Sequence, residues 1–351
     1  MSATQRGRQP HIDALKLIAA QLIVLHHFVA YGPLADALDE AAPALTDWFF
    51  DYARMAVQVF LVLGGFLAVR SLAPLGQIRV SSPWRSILQR YQRLILPFLA
   101  ALLLAVASAA LARQWLNADF IPDVPTWQQA LSHATLLQGV LGYDSLSAGV
   151  WYVAIDFQLF ALMALLLWLG HSPRWPQTLL LGLMLASLFF FNRNEDWDNW
   201  ALYFFGAYGM GAAAFWAGNA RHPGGLLSLL AGAGLLALVF DFRERIALAL
   251  AVAMLLGLLE WRHHTEARAR TALPAWLTQV IARLGKTSYA LFLVHFSVLM
   301  LGNALFVPLG LHGTVPAMLV LFGCWVACLG LAVVFERWVE VPLARVGYRL
   351  R

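Results

Sequence analysis

Long apolar runs separated by short polar breaks make up almost the whole chain. Runs of roughly 17–25 residues, the length a bilayer demands, fall near 12–31, 53–70, 93–112, 149–170, 177–192, 199–218, 225–240, 245–261, 287–308 and 315–337. They predict an all-α polytopic bundle of about ten transmembrane helices. Pro33, Pro43, Pro74, Pro83, Pro122 and Pro173 punctuate the breaks, as expected of a residue that stops helices. No internal repeat or low-complexity tract interrupts the pattern. The longest outer connection, about residues 113–148, is long enough to form a lid.

Composition sharpens this picture. The 351 residues are 61% hydrophobic and only 12% charged, where a soluble protein carries about 25% charged residues. Mean hydropathy is +0.68. No polar stretch is long enough for an appended soluble domain, so residues 1–351 are expected to form a single integral-membrane domain. The fourteen tryptophans suit the two interfacial belts of a membrane protein.

Charge sets the expected orientation. With the N-terminus inside, nineteen of the twenty-four Lys and Arg residues fall on inner segments or on Lys16, and only Arg54, Arg113, Arg193, Arg243 and Arg245 fall outside. Basic residues favour the cytoplasmic side, so both termini are expected there. Acids show the reverse bias: Asp36, Asp39, Glu40, Asp47 and Asp51, then Glu195, Asp196 and Asp198, lie on outer loops. Arg6 and Arg8 ahead of an apolar run superficially resemble a cleaved leader. The charged and imidazole residues within the run argue that this first span is retained.

Candidate chemistry concentrates in the first span, which carries Asp13, Lys16, Gln21, His26 and His27. Ionisable groups are costly in lipid and usually face a cavity, a partner or a pathway. At about 100° per residue, the eleven steps from Lys16 to His27 come to roughly three turns plus 20°, so both lie on one stripe, roughly 16 Å apart along the axis. The stripe places a cation near one membrane surface and an imidazole near mid-depth. An unperturbed imidazole has a pKa of about 6.5, which suits a general base at neutral pH, and His27 is the first candidate. It would serve equally as a packing group bonded to a serine or a carbonyl. His26 points elsewhere, about 100° around the helix.

Asp156 and Gln158 sit early in an outside-to-inside helix, at a depth that matches His27. A carboxylate there would orient the imidazole and stabilise its protonated form; the alternative is a polar contact that only joins helices. Arg90 and Arg93 share a helix face at the entry to the third span and can clamp phosphates, or simply anchor the helix at the inner surface. His295 is a second imidazole within a span. Gly64-Gly65 permits close backbone approach. Glu336 and Glu340 are expected to pair with inner arginines. Cys324 and Cys328, one turn apart in an apolar span, imply neither a disulfide framework nor a metal site.

Taken in order, these segments resemble the acyltransferase-3 family of integral-membrane O-acyltransferases. Asp13-Ala-Leu-Lys16 through His27-Phe28 is similar to that family's first helix, with a basic residue, ten intervening residues and a histidine. Val59-Phe60 through Gly64-Gly65-Phe66 resembles its second helix, and Arg90-Tyr-Gln-Arg93 with Pro97 its Arg-x-x-Arg entry to the third. Trp151 through Asp156-Phe-Gln158 resembles its Trp…Glu-x-Gln helix. Gly285-Lys-Thr-Ser-Tyr289 through His295, and Glu340-Val-Pro342, resemble the last two. Lys16 replaces the usual Arg, Asp156 the usual Glu and Gly64 a common Ser.

The resemblance implies acyl transfer from acyl-CoA, acetyl-CoA first, to a hydroxyl of an envelope or exopolysaccharide sugar at the cell inner membrane. Acyl-CoA would be a co-substrate, with no tightly bound cofactor, no metal and no nucleic-acid partner. Lys16, Arg90 and Arg93 would hold the CoA phosphates. His27 would act as general base or transient acyl carrier, oriented by Asp156. Asp13, Trp151, Gln158 and His295 would line the site or its acceptor side, with a lipid-linked or polymeric glycan as acceptor and the lipid bilayer as surroundings. A secondary transporter or glycan exporter is the competing reading; it would more often show a repeated half with broken helices.

Overall fold

The computed structural model describes residues 9–76, 82–169, 175–265, 274–311 and 313–344. The inner-segment charges Arg6, Arg8, Arg79, Arg174, Arg268, Arg270, Arg345, Arg349 and Arg351 lie outside them. The described residues are helical, with no strand. In order they form α1 (Pro10–Ala30), α2 (Pro33–Asp39), α3 (Pro43–Tyr52), α4 (Val57–Leu72), α5 (Pro83–Ala112), α6 (Trp127–Ala134), α7 (Val150–Leu169), α8 (Trp175–Phe189), α9 (Ala201–Gly218), α10 (Pro223–Phe240), α11 (Glu244–Thr265), α12 (Ala275–Phe306) and α13 (Thr314–Phe335).

Every predicted apolar run is a helix, but among the described residues only 8 helical stretches are long and apolar enough to cross a membrane. One is α3 running through a tight turn into α4, over Pro43–Leu72; another is α13 continuing to Ala344 through a wide π turn. The two runs that fall short are α8 and α9. The 15 residues of α8 reach about 22 Å, against a hydrocarbon core of about 30 Å. α9 has 18 residues diluted with Gly, Ala and Tyr, and all but three are buried. A helix wrapped by protein has no need of a lipid-facing apolar stripe.

The chain divides into two compact units. The first gathers the described residues of Met1–Ala56, Gln92–Trp151 and Leu273–Arg351, the second those of Val57–Tyr91 and Tyr152–Ala272. In the first, α1 packs on α12, α12 on α13, and α2 and α3 on α1. Gln21 of α1 accepts a hydrogen bond from the Trp325 indole of α13 at 2.8 Å. In the second, α9 is the central helix, packed on α4, α8, α10 and α11. The α4–α9 contact is backbone on backbone: a Cβ on Gly65 would overlap the Tyr208 carbonyl, and one on Gly211 would overlap the Val62 carbonyl. Small residues at a crossing let transmembrane helices approach this closely.

The expected lid over 113–148 belongs to the first unit and is stitched by side chains. Thr126 caps α6 by accepting from the Gln129 amide, and the Gln129 side chain donates to the Asp144 carbonyl at 2.9 Å. His133 is completely buried. Its Nδ1 donates to the Gln129 carbonyl at 2.8 Å, and its Nε2 accepts from the Leu146 amide at 3.2 Å. That arrangement requires the neutral ring, and burial lowers the pKa of His133 below its ordinary 6.5. The folded state therefore binds fewer protons than the unfolded one. Its contribution is complete above pH 6.5 and is lost as pH falls through the lower folded value. Amide exchange at Leu146, corrected for its intrinsic rate, is expected to accelerate on acidification in wild type; an unchanged rate would mean the ring is not the clamp.

Candidate active site

α1 runs unbroken from Pro10, which sits in its first turn where a missing N–H costs nothing. The common stripe of Lys16 and His27 is therefore preserved. Asp13 is buried near the start of the helix. α12 approaches it so closely that a Cβ on Gly285 would lie 2.8 Å from the Asp13 Cβ, which accounts for a glycine in the Leu-Gly-Lys-Thr-Ser stretch. His26 turns away from His27, as the helical angle requires, and donates to the Phe49 carbonyl of α3 at 3.3 Å.

His27 lies in the last turn of α1, in keeping with its place toward the end of the apolar run. It is buried nonetheless, at 7% exposure. The chain turns back at Gly32 into α2, and α12 runs on past His295 as far as Phe306. Asn303 of that extension closes the end of α1: it accepts from the Leu34 amide at 3.0 Å and donates to the Tyr31 carbonyl at 3.3 Å.

The partner of His27 is His295. Nδ1 of His27 stands 2.6 Å from Nε2 of His295, and the two rings are nearly parallel, 6° apart. His295 is fully buried, with its Nδ1 3.1 Å from the Leu291 carbonyl one turn back along α12. Tyr31 and Phe296 flank the His27 ring at 5.6 and 6.2 Å, and Phe120 adds a third ring 5.9 Å from Tyr31. An aromatic wall therefore borders the imidazole.

Asp156 and His27, expected as a pair, fall in different units, and each has a partner within its own. Asp156, in the second unit, binds Arg90 at 2.5 Å. The physical reason is the stronger partner: a largely buried carboxylate is compensated far better by a guanidinium than by a neutral ring. Arg90 also lies over the Phe160 ring at 5.3 Å. Tyr208 of α9 completes this group. A Cβ on Gly64 would stand 2.9 Å from the Tyr208 ring and 3.5 Å from the Asp156 carboxylate, so glycine makes the space in which tyrosine and carboxylate meet.

The remaining expected residues are distributed. Arg93 follows Arg90 by one turn on α5, and its charge acts on Glu340 at the end of α13. One carboxylate oxygen of Glu340 nonetheless has no hydrogen-bond partner among the described residues. Gln158 accepts from the Ala201 amide at 3.2 Å and so satisfies the first turn of α9. Two residues after Asp156, it faces the other side of α7. Trp151 is in the first turn of α7 and is exposed. Tyr208 and Asn303 escaped the sequence reading; a tyrosine inside a Gly-Ala-Tyr-Gly-Met-Gly stretch is the signal that was available. Among the described residues no three histidine, cysteine, aspartate or glutamate side chains gather as a metal site.

Comparison with known proteins now decides the family. The acyltransferase-3 family, described as an acyltransferase domain, matches residues 10–337. This chain belongs to that family. No curated protein and no solved structure matches it. The matched span runs from the first residue of α1 to beyond the end of α13, so it takes in the His27–His295 pair and the Arg90–Asp156 pair. With 8 candidate spans among the described residues, the protein is a multi-pass membrane acyltransferase.

Proposed function

We propose that this acyltransferase moves an acyl group, acetyl first, from acyl-CoA to a hydroxyl of a cell-envelope or exopolysaccharide sugar. It works as a single domain in the cell inner membrane with both termini cytoplasmic, the side that the Lys/Arg bias favours. The observation that carries the reading is His27. In a chain of this family, a buried imidazole is held through one ring nitrogen by His295 at 2.6 Å, which leaves the other nitrogen for chemistry.

His27 takes the proton of the acceptor hydroxyl as its oxygen attacks the thioester carbonyl. The C–S bond breaks, and the proton passes to the departing thiolate, giving the sugar ester and free CoA. A route through an acyl-imidazole on His27 balances equally, with the acyl group carried in two steps. Lys16, Arg90 and Arg93 are the cations for the donor phosphates. Arg90 gives part of its five-donor fork to Asp156, while its Nε has no hydrogen-bond partner among the described residues. Asp13, Trp151 and the rings of Tyr31 and Phe120 are the groups for the acceptor.

Transfer of radiolabel from acetyl-CoA to membrane glycan tests this reading. Base-labile label on the glycan is expected, dependent on the protein. Absence of label with acetyl-, succinyl- and longer acyl-CoA donors, alongside protein-dependent glycan flux across vesicles, would overturn it in favour of a transporter.

A further inference from the structure

We infer that His295 is the positioning residue that fixes the tautomer of His27, so that Nδ1 carries the proton and Nε2 is the bare basic nitrogen. The inference rests on the acyltransferase reading only for its kinetic consequence; the tautomer itself is a property of the protein at rest.

The assignment starts from a backbone carbonyl. The Leu291 oxygen has lone pairs and no proton, so it can only accept. At 3.1 Å from Nδ1 of His295, it requires the proton of that ring to sit on Nδ1. The Nε2 of neutral His295 is then a lone pair. It faces Nδ1 of His27 at 2.6 Å, where two lone pairs would repel, so Nδ1 of His27 carries the proton and donates. The remaining lone pair of the pair of rings is Nε2 of His27. The opposite order would put a proton on Nε2 of both rings. It would also leave Nδ1 of His295 facing the Leu291 oxygen with lone pairs on both atoms. Burial of His295 at 0% exposure denies that nitrogen a compensating water.

The chemical consequence concerns the moment of proton transfer. When Nε2 of His27 takes up the proton of a hydroxyl, the ring becomes an imidazolium whose Nδ1–H already points at the lone pair of His295. The hydrogen bond strengthens as charge develops on its donor, and no atom has to move. His295 thus supplies to His27 what a buried carboxylate supplies elsewhere, orientation and tautomer, without bringing a second charge into the bundle. The near-parallel rings, 6° apart, and the anchoring of His295 within its own helix turn hold the direction of Nε2. His295 acts only through His27 and is distinct from the cations assigned to the donor.

Three proteins test this: wild type, His295→Leu and His295→Gln. Leucine fills space but accepts nothing; the glutamine side-chain oxygen falls near the position of Nε2 and accepts as it does. Nitrogen-15 NMR of ¹⁵N-histidine-labelled protein in lipid, with His27 identified by its loss in His27→Gln, is expected to show Nδ1 protonated and Nε2 bare in wild type and in His295→Gln. The steady-state transfer rate is expected to fall in His295→Leu by about 10²–10⁴-fold in kcat, the range for loss of a competent general base. KM for the acyl donor should stay nearly constant, and His295→Gln should recover most of the loss. A wild-type His27 protonated on Nε2 overturns the inference whatever the activity, as does equal kcat in His295→Leu and wild type. If the protein transfers no acyl group at all, the tautomer still reads out by NMR, so failure of the proposed function and failure of this inference are separate results. If His295→Leu does not fold, the wild-type tautomer and the glutamine variant decide alone.

Discussion

His27→Ala is expected to lose acyl transfer by a factor on the order of 10³ or more while the protein still inserts and folds. General-base assistance alone contributes about 10²–10⁴-fold, and a transient acyl carrier cannot be replaced by water at that position without changing the reaction. Truncation has a structural cost too. The lone pair of His295 loses its donor, and an unsatisfied buried acceptor costs about 1–3 kcal/mol. Rates must therefore be compared at matched amounts of folded protein, measured by fluorescence-detected size exclusion. His27→Asn sharpens the comparison because the side-chain amide of asparagine falls near the place of Nδ1 and can still donate to His295. It should fold like wild type and transfer no faster than His27→Ala. If either variant keeps its rate within tenfold of wild type, His27 is a packing residue and the family chemistry resides elsewhere in the chain.

Asp156→Ala is expected to destabilise the second unit markedly. It leaves the Arg90 guanidinium, whose partner stands 2.5 Å away at 10% side-chain exposure, without a counter-charge. Breaking a fully buried pair in this one-sided way costs about 3–5 kcal/mol, whereas replacing both partners by apolar groups of similar volume is often neutral; with the Arg90 side chain 28% exposed, the loss is expected below that range. Thermal unfolding in detergent should therefore rank wild type and Arg90→Leu with Asp156→Leu close together, and each single variant well below. Additivity across that cycle would show that the pair contributes nothing. The same physics changes the outlook for donor-binding tests. Arg90→Ala leaves a carboxylate unpaired, so reduced affinity in a variant lacking both arginines mixes lost contact with lost stability. Arg93→Ala is the cleaner probe of phosphate binding, and a several-fold rise in KM for the acyl donor at unchanged stability is its expected result.

Much of this protein can be read directly from the order of its residues, and the limits have identifiable causes. Helices follow from run length and apolar content, so every predicted run is helical. The shortfall from ten spans to 8 comes from α8 and α9, where helical periodicity cannot distinguish a helix surrounded by protein from one surrounded by lipid. The relation of Lys16 to His27 is local, set by the pitch of one helix, and it survives intact. Partnerships are different. His27 meets a residue 268 positions away, and depth arithmetic cannot say which of several polar groups at one level is the lateral neighbour. Depth alone therefore matches Asp156 to the imidazole, while within its own unit the carboxylate meets Arg90. The orientation of Gln158 is legible in the sequence: two residues from Asp156 on a helix, it must face away.

The contact between α4 and α9 limits how this enzyme can move. With Gly65 seated on the Tyr208 carbonyl and Gly211 on the Val62 carbonyl, the two helices are keyed at two points. Sliding one past the other by a turn, about 5.4 Å, would drive a side chain into a backbone at each. The pair therefore behaves as one stiff strut in the catalytic cycle. Whatever opens to admit the substrates of acyl transfer must be hinged elsewhere, and disulfide or spectroscopic probes placed across α4 and α9 serve as the fixed reference against which such opening is measured.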